Sequence, residues 1–292
     1  MIILDGSMGN ELLKRTNKTS SGLWSAQFLI DSPKLVKEVH QAYVDSGAQV
    51  ITTNTYSTIP SYLKKENKTH LMNELIKKAG IIAREVAEEN DQKILVAGSL
   101  PPLDESYRPD LVPNETEALP IYEELIEALN PFVDIFLCET VSSIAETSNI
   151  LKALKNKADD DKEIWVSWTL LEDKNGRLRS KETIEKAFQL AETFSPNAYL
   201  FNCTDPMAIT EGIKKLSKLT HKPIGCYPNI FGVPFDWTLD NNVELSPRNL
   251  SIKQFVEYKN LWEDLGASIV GGCCGLGPDY IDAISKENSP KS

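Results

Sequence analysis

Short apolar runs alternate with longer segments of helical periodicity from one end of the chain to the other. Eight such runs stand out: 2–5, 49–54, 94–99, 133–138, 164–169, 198–203, 223–227 and 268–272. They are almost continuously apolar, as expected of parallel strands covered on both faces. Between them lie helical patterns. Residues 33–46 place Leu35, Val36, Val39 and Tyr43 at helical spacing behind Ser32 as N-cap. Residues 73–90 and 181–193 read the same way, and 251–265 begins at a capping Ser251 and stops at Gly266.

Eight strand–helix units in 292 residues predict an α/β fold of the (β/α)8 TIM-barrel type, whose typical size is about 250 residues. An open doubly wound sheet would carry Gly-x-Gly-x-x-Gly after its first strand. Here the first run ends in Asp5-Gly6-Ser7-Met8-Gly9, which does not fit. Nothing in the chain marks an internal repeat, a linker or a boundary. The expectation is one barrel domain over 1–285, with a polar, frayed tail over 286–292. Two connections that follow strands are long, 101–114 and 228–250, the second holding Trp237, Asp240, Asn241 and Asn242. In a barrel both stand at the C-terminal mouth, where active sites are built.

Charge and cysteine usage narrow the chemistry. With 42 acidic against 31 basic residues, the formal net charge is -11 and there is no basic run. That excludes nucleic acid and anionic membrane as natural partners. The N-terminal stretch carries Asp5 and Glu11 and no long apolar segment, so no signal peptide or membrane span is expected and the location expected is cytoplasmic. Five cysteines in such a protein point to metal binding or catalysis rather than to a disulfide framework. The three histidines, His40, His70 and His221, fall in helices or linkers, which argues against a His-based metal hydrolase.

The strand ends collect the polar residues. Cys203 follows the sixth run, and Cys273 with Cys274 follows the eighth inside Gly271-Gly272-Cys273-Cys274-Gly275. Three thiols can hold one zinc ion and leave its fourth position open for chemistry. Adjacent side chains on a strand point to opposite faces, so the backbone must leave strand geometry for both sulfurs to converge. Gly271, Gly272 and Gly275 permit this. The same glycines could instead cradle a phosphate, and the vicinal pair could form a disulfide where conditions are not reducing. Cys138 and Cys226 lie within strands and read as small core hydrophobes. Asp5 and Glu139, at the ends of the first and fourth runs, suit a cationic amino group. The amides of Gly6 and Ser7 suit a carboxylate. Together these groups ask for a zwitterionic amino acid whose far end is a thiol.

The segments Leu4-Asp5-Gly6-Ser7-Met8-Gly9-Asn10-Glu11-Leu12, Leu23-Trp24-Ser25-Ala26, Ile51-Thr52-Thr53-Asn54-Thr55-Tyr56, Cys138-Glu139-Thr140, Asn202-Cys203-Thr204, Tyr227-Pro228-Asn229 and Gly271-Gly272-Cys273-Cys274-Gly275 span nearly the whole chain. In them the sequence resembles the homocysteine S-methyltransferase family. The resemblance implies a (β/α)8 barrel with Zn2+ on Cys203, Cys273 and Cys274. It also implies homocysteine bound through Asp5 and Glu139, with Thr53 or Thr55 and Asn229 near the substrate. The partners implied are homocysteine and a small methyl donor, S-methylmethionine first and S-adenosylmethionine second, and the product is methionine. Tyr107, Trp168 and Trp237 are candidate aromatic walls for a sulfonium. The chain departs from the family pattern at Leu276-Gly277-Pro278, at Ile230-Phe231-Gly232 and in the loop after the third strand, positions that bear on the donor. The rival expectations are a zinc- or redox-sensing thiol protein without turnover and a phosphate-binding barrel enzyme.

Overall fold

The computed structural model describes residues 1–16, 22–173, 175–234, 245 and 247–288. Eight strands are present: β1 (Ile2–Ile3), β2 (Val50–Thr52), β3 (Leu95–Leu100), β4 (Ile135–Val141), β5 (Glu163–Trp168), β6 (Ala198–Asn202), β7 (Ile224–Tyr227) and β8 (Ala267–Val270). Every pairing is parallel, and the hydrogen-bonded order runs β1-β8-β7-β6-β5-β4-β3-β2. The two ends of that row meet. Leu4 bridges Val50, the Gln49 N–H donates to the Ile3 carbonyl at 2.8 Å, and the Asp5 N–H donates to the Val50 carbonyl at 3.0 Å. The sheet is therefore a closed (β/α)8 barrel, as the eight apolar runs imply.

Closure makes each strand two-sided. Leu4, Val50, Ala97, Ile135, Leu137, Trp165, Ala198, Leu200, Tyr227 and Ile269 pack together inside the barrel. Their strand neighbours Phe136, Cys138, Val166, Tyr199, Phe201, Cys226 and Val270 pack outward beneath the helices. The alternation is the period of two that a strand imposes. Trp168 falls on the outward side. It stacks on Tyr199 with ring centroids 5.5 Å apart and donates from Nε1 to Thr147 Oγ1 at 3.0 Å. It is core, and its expectation as a wall for a cationic ligand is corrected here.

The outer ring holds the predicted helices with small shifts at their ends: Pro33–Asp45, Met72–Glu88, Ile184–Glu192 and Ile252–Asp264. Ser251 closes a reciprocal capping box with Gln254. Ser32 caps its helix by position but without a side-chain bond, and Pro33 supplies the preset first turn instead. The last helix, Pro278–Asn288, carries regular structure past the expected tail boundary at 286. Residues 289–292 and the loop positions Trp237, Asp240, Asn241 and Asn242 lie outside the described residues. Among the described residues no helix is long and apolar enough to cross a membrane.

Candidate active site

The C-terminal ends of the strands open into a cavity of about 340 Å³. Asp5, Thr53, Glu139, Cys203, Asn229, Cys273 and Cys274 all line it. Sequence positions separated by up to 269 residues thus converge because each ends a strand or follows one in the same rim.

The thiols converge through unusual backbone. Cys203 takes a left-handed φ of 50°, which turns its side chain off the end of β6. β8 stops at Val270; the Gly271 N–H still donates to the Cys226 carbonyl of β7 at 3.0 Å, and the residues after it leave the sheet. The Gly272 N–H donates to the Asp5 carbonyl at 2.9 Å, and the Cys273 N–H donates to the Pro228 carbonyl at 2.8 Å. Gly275 then reverses the chain with φ 84°, a turn that a residue with a Cβ would strain. As a result the three sulfurs lie within 4.8 Å of one another, and Cys203 Sγ is 3.6 Å from Cys274 Sγ. Three thiolates on one tetrahedral zinc, with Zn–S of about 2.3 Å, stand roughly 3.8 Å apart. The cluster therefore fits a metal of that kind, and its soft donor set suits zinc. The Cys203 thiol is held well below its ordinary value by hydrogen bonds from Cys273 and Cys274 first and from Tyr107, itself at φ 67°, after them, with burial opposing. The Arg179 guanidinium covers the Tyr107 ring at 5.5 Å while donating to the Val233 carbonyl at 2.8 Å. Cys138 and Cys226 are fully buried in the outer core, where burial pushes both thiols up.

The carboxylates line the same cavity as the thiols. Asp5 accepts from the Thr52 N–H at 2.7 Å and from Thr52 Oγ1 at 3.0 Å. Glu139 accepts from Ser99 Oγ. Both are buried, and among the described residues neither forms an ion pair. Burial raises Asp5 from its ordinary 3.8 to about 7, offset in part by the Thr52 bonds. Burial raises Glu139 from 4.5 to about 8, with Ser99 opposing and the nearby Cys203 and Asp5 charges adding to the rise. An acidic pair held without a cation in a cavity is prepared for a cationic ligand. Asn229 adds a neutral contact. Its side-chain oxygen and nitrogen are both buried and without partners among the described residues.

Two expected contacts change. The Ser7 N–H donates to the Leu276 carbonyl at 3.0 Å, so this amide is committed to the fold and does not serve a substrate carboxylate. Gly6 does line the cavity, and a Cβ there would meet the Leu276 carbonyl at 2.4 Å. Thr55 is buried below the wall, where its hydroxyl donates to the Ser99 carbonyl at 2.9 Å. Only Thr53 of that pair reaches the cavity, with Oγ1 accepting from the Ser99 N–H at 3.1 Å. The walls also include Trp24, Tyr56 and Tyr62, which sequence reasoning did not single out, and Phe231, at one of the departures from the family pattern. Trp24 and Tyr56 lie inside the recognised segments, so the signal was there. Tyr62 comes from the short helix Pro60–Leu63 and Phe231 from the stretch after β7, paths that apolar periodicity does not report.

Convergent thiols opposite buried carboxylates, at the mouth of a (β/α)8 barrel, define a barrel enzyme for a soft, thiol-bearing substrate. The sequence profile of the homocysteine S-methyltransferase family matches residues 2–288. Homocysteine S-methyltransferase YbgG of Bacillus subtilis is 28% identical over 98% of this chain and 93% of its own. A selenocysteine Se-methyltransferase of Brassica oleracea is 30% identical over 97% and 88%. The metallated form of the homocysteine methyltransferase MmuM from Escherichia coli superposes with a TM-score of 0.82 at 27% identity, covering 98% of this chain and 96% of that one. The chain belongs to the homocysteine S-methyltransferase family and is an enzyme of the methyltransferase class.

Proposed function

We propose that this protein moves a methyl group from S-methylmethionine to the sulfur of homocysteine, giving methionine, with zinc held by Cys203, Cys273 and Cys274. The observation that carries this reading is the shared cavity, lined by three convergent thiols and by two buried carboxylates that have no ion pair among the described residues. Bound zinc would supply the charge that keeps a substrate thiol deprotonated at neutral pH. Asp5 and Glu139 hold the substrate ammonium, which fixes the amino acid by its charged end. Gly6, Thr53 and Asn229 line the space left for its carboxylate and backbone. The substrate sulfur then forms the new bond to the methyl carbon as the methyl–sulfonium bond breaks. The electron pair of that bond stays on the donor sulfur, which leaves as a neutral thioether. No proton moves in this step, which is why the site needs no general acid. The Trp24 ring offers a face for the donor cation, worth about 0.5–2 kcal/mol, whereas the Tyr107 ring already carries the Arg179 guanidinium. Three thiols that must stay reduced to hold zinc support a reducing compartment, the cytoplasm expected from the sequence.

The test is methionine formation from homocysteine and S-methylmethionine by reduced, zinc-loaded protein. Turnover that a chelator abolishes and zinc restores is expected. Protein that retains its zinc and forms no methionine from this donor, but does so from S-adenosylmethionine, overturns the donor assignment. Cys226→Ala supplies the control for the ligand set. It should keep both zinc and turnover and cost about 1–2 kcal/mol of stability, as an ordinary core truncation does. Loss of zinc in that variant would show the ligand set to be wrong.

A further inference from the structure

The side chain of Asn202 sits one residue before Cys203, is fully buried, and lies outside the cavity wall. The inward alternation Ala198, Leu200 continues to it, so it points across the top of the barrel interior. Its Oδ1 accepts from the Thr140 N–H at 2.8 Å and from Ser167 Oγ at 2.7 Å, and its Nδ2 donates to Thr140 Oγ1 at 2.9 Å. One amide from β6 thus reaches over β5 to hold β4, and two of its three bonds end on the residue after Glu139.

β4 is irregular at that point. Cys138 pairs with Val166 and Val141 with Trp168, so three steps along β4 match two along β5. The extra residue forms a bulge at Glu139–Thr140, and Thr140 takes φ 59°. A β-branched residue rarely enters the left-handed region unless its surroundings hold it there. Bulges re-aim the side chains beside them. Here Val141 joins the outer core, although the alternation of Ile135 and Leu137 would have sent it inward.

We propose that Asn202 is a positioning residue that locks this bulge and so sets the Glu139 carboxylate in register with the Cys203 thiol one residue away from it. The proposal rests on the reading that Glu139 binds the substrate ammonium. It follows that Asn202 governs recognition of the amino group without touching substrate, and leaves recognition of the thiol alone.

The experiment titrates reduced, zinc-loaded full-length protein with homocysteine and with 4-mercaptobutanoate, which has the same thiol and carboxylate and no amino group. The wild type should prefer homocysteine. Asn202→Ala should weaken homocysteine binding by about tenfold or more, equivalent to roughly 1.4 kcal/mol, and 4-mercaptobutanoate by less than about threefold. Zinc content should not change. Equal weakening of both ligands, or an unchanged preference for homocysteine, overturns the proposal. A second variant adds Thr140→Gly to Asn202→Ala. Glycine holds positive φ without an anchor, so the preference should return, and this variant decides the matter alone if the single one does not fold. A double variant that folds, holds zinc and still lacks the preference overturns the proposal. A wild type with no preference for homocysteine overturns the ammonium-site reading itself and the proposal with it, and it is told apart because it shows before any substitution is made.

Discussion

Cys203→Ser is expected to strip most of the zinc from the protein and to lower methyl transfer by more than about a hundredfold. Replacing even the outer partners of metal ligands costs about 10–100-fold, and this change removes a ligand. The substitution is close to isosteric, so the barrel should survive it. What changes is the donor: a thiolate is a soft ligand available at neutral pH, and a serine hydroxyl is neither soft nor ionised there. The left-handed backbone at Cys203 is kept by the strand end and by the bond from its own N–H to the Tyr227 carbonyl at 3.1 Å, not by the sulfur. The remaining pair, Cys273 and Cys274, come from one turn and cannot complete the cluster without β6. Elemental analysis after dialysis, with the initial rate measured on the same sample, reads both effects. Full retention of zinc by the serine variant would remove Cys203 from the ligand set.

Much of this site was legible in the sequence because a parallel barrel turns order into position. Eight apolar runs located eight strand ends, and the strand ends located Asp5, Glu139, Cys203, Cys273 and Cys274 on one rim. The alternation within each run held more information than was drawn from it. Ile135 and Leu137 inward with Phe136 and Cys138 outward already assigns Cys138 to the outer core. The same count along β5 puts Trp165 inward and Trp168 outward, which removes Trp168 from the site. Parity fails where a strand bulges, and the bulge after Cys138 is invisible in a one-dimensional pattern because its anchor, Asn202, lies 62 residues further on. The commitment of the Ser7 amide to Leu276 was equally hidden, since it depends on how the loop after β8 crosses the start of the first helix. Tyr62 was missed for a different reason: the helix that carries it, Pro60–Leu63, is too short to show a period.

Glu139→Gln is expected to raise the KM for homocysteine by about 10–100-fold, because a hydrogen bond to a charged group contributes about 1.5–3 kcal/mol and each 1.4 kcal/mol is tenfold. The glutamine keeps the shape and a side-chain oxygen for the Ser99 hydroxyl, and loses only the charge. The methyl group moves at the other end of the substrate, so kcat should change far less than KM. Stability should move the opposite way. In the free protein the Glu139 carboxyl is raised by burial from 4.5 to about 8, so the folded state favours its protonated form. That contribution to stability is complete below about pH 4.5 and is lost as pH rises through about 8. Asp5, raised to about 7 chiefly by its own burial, titrates in both proteins, and the glutamine also removes its repulsion with Glu139, which adds to the variant's gain at pH 8. Metal-free Glu139→Gln should therefore melt at a higher temperature than metal-free wild type at pH 8, with the gap closing toward pH 5. Saturating homocysteine on the zinc-loaded proteins should close the gap from the other side, since its ammonium compensates the wild-type carboxylate and has nothing to pair with in the variant. This is the trade expected of a binding group held against its own stability. Steady-state kinetics and melts at the two pH values measure it, and an unchanged KM would deny Glu139 its part in holding the substrate.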